Sequence, residues 1–285
     1  MLSVTARAKV NLTLRVTGKR ADGYHILQSL VCFPAVGDEL EIAPGKDLTL
    51  THEGPFADAL GPAEDNLVLR AAKALQRAAA VEEGAALRLV KNLPVAAGVG
   101  GGSADAAAAL KGLMQLWQID PSAVDLPALA LRLGADLPVC LAGRPTLVEG
   151  IGEQLTPLPP LPALGILLVN PRQALATAAV FKAHWEDYSA AEDWSDLPAD
   201  GAAFIARLAA SANDLEAAAC RVLPAVDEVL DSLRALPGCR LARMSGSGAT
   251  CFGLFADRTA AESAARSIAG ERPHWWVRSS ALRSE

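Results

Sequence analysis

A glycine-rich segment at residues 93–105 holds the residue types best suited to chemistry, and it reads Leu-Pro-Val-Ala-Ala-Gly-Val-Gly-Gly-Gly-Ser-Ala-Asp. Its four glycines allow tight turns that expose backbone N–H groups. The alanine-rich stretch that follows predicts a helix over residues 104–117, capped by Ser103 or Asp105. Because N–H groups at a helix N-terminus attract anions, the segment predicts a phosphate-binding loop. A glycine-rich turn without a ligand is the alternative.

Two common nucleotide-binding motifs are excluded by the same residues. A P-loop needs a lysine directly after its last glycine, whereas Ser103 follows Gly102 in this chain. Gly98 and Gly100 have the spacing of the first two glycines of a dinucleotide-binding fingerprint, but Ser103 stands where the third glycine is required. The loop therefore predicts phosphate chemistry on a different scaffold.

The composition is typical of a globular protein. Of the 285 residues, 51% are hydrophobic and 20% are charged, so the chain can bury a sizeable core. The net charge of −6 argues against a nucleic-acid partner, which needs a basic face. No signal peptide is visible in residues 1–10, and prolines exclude a membrane helix over residues 154–171. We therefore expect a cytoplasmic protein without a nucleic-acid or membrane partner.

The cysteines carry no metal or disulfide pattern. The chain has five of them, an odd number, and they are scattered without a Cys-x-x-Cys pair. They are Cys32, Cys140, Cys220, Cys239 and Cys251. Reduced and mostly buried thiols are the expected state.

The elements that must position the loop form two differently patterned halves. A proline cluster at residues 157–162 predicts a stiff connector, with domains over residues 1–156 and 163–285. The first half predicts mixed strands and helices, including a strand over residues 9–16 and helices over residues 66–80 and 125–133.

In the second half, strands are predicted over residues 164–169, 240–244, 250–255 and 274–278. Helices are predicted over residues 177–185, 202–210, 214–236 and 259–268, with a break or kink of the third at Pro224. Mixed strands and helices with an antiparallel hairpin favour an α+β sandwich of ferredoxin-like type.

Three segments carry a family resemblance. They are Ala8-Lys9-Val10-Asn11-Leu12, the segment from Pro94 to Ala107, and Ser245-Gly246-Ser247-Gly248-Ala249-Thr250. In these the chain resembles the small-molecule kinase superfamily that includes galactokinase, homoserine kinase, mevalonate kinase and phosphomevalonate kinase. The resemblance implies a two-domain α+β kinase fold with its active site in the cleft between the domains.

Three further segments narrow the resemblance to one branch. They are residues 19–25, Gly134-Ala135-Asp136-Leu137-Pro138 and Glu149-Gly150-Ile151-Gly152-Glu153. The branch uses ATP to phosphorylate the 2-hydroxyl of a cytidyl diphosphate sugar alcohol, 4-diphosphocytidyl-2-C-methyl-D-erythritol, on the non-mevalonate route to isoprenoid precursors. The resemblance implies that activity here, with ATP and Mg²⁺ as cofactors. Nothing in the sequence marks a dimer interface, and we expect a monomer or a weak homodimer.

Asp136 and Lys9 are the catalytic residues that the resemblance implies. Asp136 would stand by the acceptor hydroxyl as base or orienter, with Lys9 as its electrostatic partner. An ordinary aspartate, with a pKa of about 3.9, is a poor base for an alcohol, so we expect orientation first and proton uptake late. The structural alternatives are a helix cap after Gly134 for Asp136 and a solvated strand edge for Lys9.

For the acceptor, the resemblance implies that Tyr24 stacks on the cytosine ring, His25 hydrogen-bonds it and Phe181 closes its other face. A rim tyrosine, a surface histidine and a core phenylalanine in a stripe with Trp185 are the alternatives. Further acceptor or cleft contacts are assigned to Asn11, Thr177, Gly246, Ser247 and Gly248, with Thr177 bridging toward Lys9. A plain hairpin turn is the alternative for residues 246–248.

For ATP, the resemblance implies that Asn66 and Lys91 border the adenine and that the loop holds the phosphates. The loop residues are Pro94, Val95, Ala96, Ala97, Gly98, Val99, Gly100, Gly101, Gly102, Ser103 and Ala104. A helix cap for Asn66 and an exposed strand end for Lys91 are the alternatives. The family loop commonly has a second serine where this chain has Ala104, and Ser103 is the one Mg²⁺ ligand that can be matched.

The sequence leaves two other functions open. A kinase of the same superfamily could act on homoserine or a mevalonate-type alcohol, although residues 24–25 favour the cytidyl substrate. A non-catalytic binding protein descended from such a kinase is the third reading. The presence of Lys9, Asp136 and the complete glycine loop argues against it.

Overall fold

The structure is a computed structural model that describes residues 1–184 and 187–282. It contains two compact units. The first comprises Met1–Ala8, Gly37–Val95 and Gly100–Gly143, and the second comprises Lys9–Val36, Ala96–Val99 and the chain from Arg144 onward. These units differ from a division at the proline cluster because residues 9–36 form strands that hydrogen-bond to strands after residue 144.

The strands, in chain order, are β1 (Leu2–Arg7), β2 (Val10–Asn11), β3 (Arg15–Lys19), β4 (His25–Cys32), β5 (Gly37–Gly45), β6 (Leu48–Glu53), β7 (Gly84–Val90), β8 (Thr146–Gly150), β9 (Gln154–Pro157), β10 (Gly165–Asn170), β11 (Leu241–Met244), β12 (Cys251–Phe255) and β13 (Trp276–Ala281). The α-helices are α1 (Leu67–Ala78), α2 (Gly101–Leu116), α3 (Leu126–Leu133), α4 (Leu137–Ala142), α5 (Thr177–Ala183), α6 (Gly201–Ala209), α7 (Glu216–Val222), α8 (Ala225–Ala235) and α9 (Arg258–Glu271).

The first unit is built on a mixed sheet with the strand order β1-β5-β7-β6. The β6 and β7 strands run parallel, and the other neighbours are antiparallel. Helix α2 packs against β1 and β5, and it approaches so closely at Gly112 that an added Cβ would lie 2.2 Å from the side chain of Ile42. The end of β7 and the start of α2 thereby fix the two ends of the glycine-rich loop.

The second unit contains two antiparallel sheets. One has the order β2-β4-β8-β9, with β3 also paired to β4, and the other has the order β11-β12-β10-β13. In chain order, the first to fourth strands of this last sheet are β10, β11, β12 and β13. Across the sheet, starting from β13, they therefore lie in the order 4-1-3-2. Helices connect the first strand to the second and the third strand to the fourth. This topology is ferredoxin-like, so the α+β prediction for the second half is confirmed.

Most predicted elements are found within a few residues of their expected ends. The exceptions have local causes. The strand predicted over residues 9–16 is interrupted because Leu14 exchanges backbone hydrogen bonds with Ala212 and Asp214 instead of with a neighbouring strand. The break predicted at Pro224 in the helix over residues 214–236 is confirmed, since α7 ends before this proline and α8 begins after it. Trp185, the predicted end of α5, lies outside the described residues.

The cysteines and the helices bear on two further predictions, those of reduced thiols and of a chain without a membrane helix. All five cysteines are free thiols, and burial raises the pKa of Cys32, Cys220, Cys239 and Cys251, so these thiols are poor nucleophiles. Across residues 1–184 and 187–282, every helix is too short or too polar to cross a membrane.

Replacement of Leu167 by alanine tests the core of the ferredoxin-like sheet. Leu167 is fully buried in β10, which has a hydrogen-bonded strand on both sides. We expect Leu167→Ala to lower the free energy of unfolding by about 2–5 kcal/mol, measured by urea titration followed by circular dichroism. The control Val222→Ala, at a 41% exposed position of α7, should change it by no more than about 0.5 kcal/mol. Equal effects of the two changes would contradict this assignment of the core.

Candidate functional site

The glycine-rich loop ends in an uncapped helix. Helix α2 begins at Gly101, and Gly100 stands at its N-cap with a φ of 61° and no side chain to cap the first turn. The prediction that Ser103 or Asp105 caps this helix is wrong, since the helix begins three residues earlier than expected and contains both. The N–H groups at residues 101–103 thus need an acceptor other than a capping side chain, and phosphate oxygens fit that need.

The first half of the loop is held by the turn at residues 245–250. Gly98 has a φ of 73°, and an added Cβ would lie 2.5 Å from the carbonyl oxygen of Ser245 and 2.7 Å from that of Gly248. The hydroxyl of Ser245 donates to the Gly98 carbonyl at 2.9 Å, and the N–H of Thr250 donates to the Ala97 carbonyl at 3.1 Å. The structure therefore brings two of the three resemblance segments together.

The third resemblance segment joins the same cluster. The Asn11 N–H donates to Ser245 Oγ at 3.0 Å, and the Lys9 N–H donates to the Val99 carbonyl at 2.9 Å. Lys9 is only 7% exposed, so the alternative of a solvated strand edge is wrong. Asn11 Nδ2 donates to Ser29 Oγ at 2.7 Å, whereas the buried Asn11 Oδ1 has no hydrogen-bond partner among the described residues. That oxygen can accept a hydrogen bond from a ligand.

Two polar side chains that the sequence analysis did not single out donate to backbone carbonyls of the second unit, and one of them, Asn213, reaches the 245–250 turn. Asn213 Nδ2 donates to the carbonyls of Met244 and Gly246, both at 2.8 Å. The buried guanidinium of Arg243 donates to the carbonyl of Leu12 and to two carbonyls at the end of α6, those of Leu208 and Ser211. Both side chains donate to backbone carbonyls that are distant in sequence, and a sequence pattern does not reveal such pairings.

The residues predicted to contact the cytosine ring occupy different environments. The rings of His25 and Phe181 are stacked, with centroids 4.7 Å apart, while Tyr24 is 63% exposed. Phe181 also packs against the hydrophobic core of the second unit, as its core alternative requires. Thr177 Oγ1 lies 2.8 Å from Ser247 Oγ, and its predicted bridge toward Lys9 stays a prediction.

Lys91 is the centre of a buried charge cluster in the first unit. Its Nζ lies 2.5 Å from Asp38 Oδ2 and 2.6 Å from Asp105 Oδ2, and all three side chains are at most 2% exposed. The alternative of an exposed strand end is therefore wrong. Burial opposes the charge on the Lys91 ammonium, but the two carboxylates outweigh it and raise its pKa. Burial also raises the pKa of Asp105, against the attraction of Lys91.

Asn66 and Asp136 both stand at helix N-caps, but only the Asn66 side chain makes a capping hydrogen bond. Asn66 Oδ1 accepts from the Val68 N–H at 2.9 Å, so the capping alternative is confirmed and the adenine contact stays a prediction. The half-buried carboxylate of Asp136 makes no capping hydrogen bond to α4, which is contrary to the helix-cap alternative. Asp136 belongs to the first unit and Lys9 to the second.

A protein-built metal site is not found in the part of the chain that the structure describes. Over residues 1–184 and 187–282, no three His, Cys, Asp or Glu side chains are grouped so that they could hold an ion. Ser103 is therefore still the one matched candidate ligand, and it lies in the first turn of α2.

Comparison with family models and known proteins gives a consistent result. Residues 66–144 match the model of the GHMP kinases N-terminal domain, and residues 200–273 match that of the GHMP kinases C-terminal domain. A 4-diphosphocytidyl-2-C-methyl-D-erythritol kinase of Paramagnetospirillum magneticum is 52% identical over 96% of both chains. One of Rhodospirillum rubrum is 51% identical over 95% of this chain and 90% of its own.

Solved structures show the same relationship. The crystal structure of a 4-(cytidine 5'-diphospho)-2C-methyl-D-erythritol kinase aligns with a TM-score of 0.82 at 36% identity over the full length of both chains. A homoserine kinase from Cytophaga hutchinsonii aligns with a TM-score of 0.70 at 18% identity, covering 99% of this chain and 95% of its own, which shows a shared fold.

Alanine at Gly98 tests the close approach of the loop to the 245–250 turn. We expect Gly98→Ala to lower the free energy of unfolding by at least about 2 kcal/mol, because it adds a left-handed backbone penalty to a clash. Thermal unfolding measures this. Gly270→Ala is the control, since nothing lies within 4 Å of its added Cβ in α9. An unchanged melting temperature for Gly98→Ala would contradict the described contact.

Proposed function

We propose, since the chain belongs to the GHMP kinase family and within it to the 4-diphosphocytidyl-2-C-methyl-D-erythritol kinases, that it transfers a phosphoryl group from ATP to the 2-hydroxyl of 4-diphosphocytidyl-2-C-methyl-D-erythritol. Identity of 52% over 96% of the chain carries this proposal. The reaction would serve the non-mevalonate route to isoprenoid precursors. Within it, residues 1–156 would form the ATP-binding domain and residues 163–285 the second kinase domain.

The glycine-rich loop is proposed to hold ATP. The N–H groups of the first turn of α2, which no side chain caps, suit the phosphates, and Gly98 and Gly100 adopt positive φ angles that glycine tolerates without strain. ATP supplies the transferable phosphoryl group when bound. Helix N-terminal N–H groups and the positive end of the helix dipole stabilise negative charge there at no cost of reorganisation.

Asp136 is proposed to orient the acceptor hydroxyl and to take its proton late in the transfer. Its carboxylate is half-buried at the start of α4 and makes no capping hydrogen bond to that helix. Lys9 is proposed as the electrostatic partner that steadies the negative charge that develops during transfer. Its burial lowers the local dielectric and strengthens that effect.

The acceptor is proposed to bind through aromatic and amide groups. Tyr24 and Phe181 would stack on the cytosine, His25 would hydrogen-bond its edge, and the unpartnered Asn11 Oδ1 would accept from a hydroxyl of the sugar alcohol. Residues 246–248 and Thr177 would line the same site. Mg²⁺ would arrive with the ATP phosphates and keep several waters, with Ser103 as its one candidate protein ligand. A cytoplasmic location and a monomer or weak homodimer are predictions from the sequence.

The main test is coupled ADP release with ATP, Mg²⁺ and the cytidyl substrate. We expect Asp136→Ala to lower kcat by about 10²–10⁴-fold with a modest change in KM, because it removes the hydroxyl-orienting carboxylate. Asp231→Ala, at a carboxylate of α8 with a 70% exposed side chain, is the control and should retain wild-type kcat. Turnover with homoserine or mevalonate but not with the cytidyl substrate would keep the fold and overturn the function. Full turnover by Asp136→Ala would overturn the catalytic assignment alone.

Leucine at Phe181 separates stacking on the base from packing in the core. We expect Phe181→Leu to raise the KM for the cytidyl substrate about tenfold, because leucine fills the core but cannot stack on an aromatic ring. The KM for ATP and the melting temperature should change little. The neighbouring change Lys182→Ala is the control. A lower melting temperature with an unchanged KM would show that Phe181 acts only as a core residue.

A further inference from the structure

The buried cluster of Lys91, Asp38 and Asp105 links the two ends of the glycine-rich loop. Lys91 directly follows β7, where the loop begins, and Asp105 is the fifth residue of α2, where the loop has ended. The Lys91 ammonium reaches both carboxylates at 2.5 and 2.6 Å. The ion pair between Lys91 and Asp105 therefore joins the two ends of the loop across more than ten residues of the chain.

Asp38 extends this closure to the first peptides of the loop. Its Oδ1 accepts from the N–H of Asn92 at 2.6 Å and from the N–H of Leu93 at 2.7 Å. Its Oδ2 is the atom that meets Lys91. A single carboxylate at the start of β5 thus fixes the direction in which the loop leaves β7.

The ammonium lies against the first residue of α2. An added Cβ at Gly101 would lie 3.2 Å from Lys91 Nζ, so the charge stands at the helix start. Lys91 is 2% exposed, and its donors are directed at two buried carboxylates. A ligand ring cannot reach the ammonium without breaking this cluster.

We propose that Lys91 is a positioning residue which, through Asp105 and Asp38, sets the N–H groups of residues 101–103 in place for the phosphates of ATP. In this proposal, the positioning role of Lys91 takes the place of the adenine contact that the resemblance implies for it. The inference rests on the proposed binding of ATP by this loop. In a low-dielectric interior the ammonium and its two carboxyl partners hold a fixed hydrogen-bonded geometry, and small displacements of binding groups lower affinity and rate strongly.

The test compares ATP with adenosine, which has the adenine but no phosphates. By isothermal titration for ATP and ligand-observed NMR for adenosine, we expect Lys91→Met to weaken ATP binding about tenfold or more and to leave adenosine binding unchanged. An adenine contact instead predicts an equal loss for both ligands, and that result would overturn the proposal. Wild-type affinity for ATP would overturn it as well.

Two changes at Asp105 keep the test decisive if Lys91→Met does not fold. Asp105→Leu removes the acceptor and should weaken ATP binding about tenfold, whereas Asp105→Asn keeps a hydrogen-bond acceptor and should stay within about threefold of wild type. Equal ATP affinities for these two variants would contradict the inference. Their melting temperatures are measured alongside.

Arg88 offers a matched control on the same strand. Its guanidinium also meets two carboxylates, Glu41 at 2.7 Å and Glu53 at 2.5 Å, but on the exposed side of the sheet. Arg88→Met should bind ATP as the wild type does, and a loss equal to that of Lys91→Met would overturn the inference. Because these titrations use no acceptor, an error in the proposed acceptor would leave their outcome unaffected.

Discussion

The close approach of Gly98 to the turn at residues 245–248 is the constraint on which much of the candidate site depends. A side chain at position 98 would overlap two carbonyl oxygens, so the loop can lie against this turn only as bare backbone. The Ser245 hydroxyl then bonds the Gly98 carbonyl and accepts from the Asn11 N–H. Segments almost 150 residues apart in sequence are thereby held at hydrogen-bond distance.

The turn itself depends on the ferredoxin-like half of the chain. It connects β11 to β12, two neighbours in a four-stranded sheet, and Asn213 donates to the carbonyls of Gly246 in the turn and of Met244 just before it. Since buried carbonyls must find donors, Asn213 satisfies a carbonyl of the turn, and the neighbouring Arg243 satisfies those of Leu12, Leu208 and Ser211. A fold that supplies a buried donor beside the turn can hold an irregular, glycine-rich segment in one conformation.

Where the loop leaves β7 and enters α2, buried charged groups take the place of the close backbone contact. The cluster around Lys91 places one cation and two carboxylates in an interior where removing one partner leaves a buried charge uncompensated. The first turn of α2 remains uncapped above it. Buried charge pairs at the base of the loop, and first-turn N–H groups that no side chain caps, both support the proposed binding of a large anion here.

The sequence by itself determined the glycine-rich loop, the family and the ferredoxin-like fold of the second half, because glycine spacing, family motifs and hydrophobic periodicity can be read from short local segments. Periodicity also held an unused signal: Lys91 continues the buried series Leu87 and Leu89, and Asp38 precedes the buried Leu40 and Ile42 in the same phase. Only the tertiary structure decided that these charges meet each other, that α2 begins at Gly101, and that the 9–16 strand is interrupted at Leu14. Each depends on partners distant in sequence, and local patterns carry no information on which distant group satisfies a buried charge or a backbone N–H.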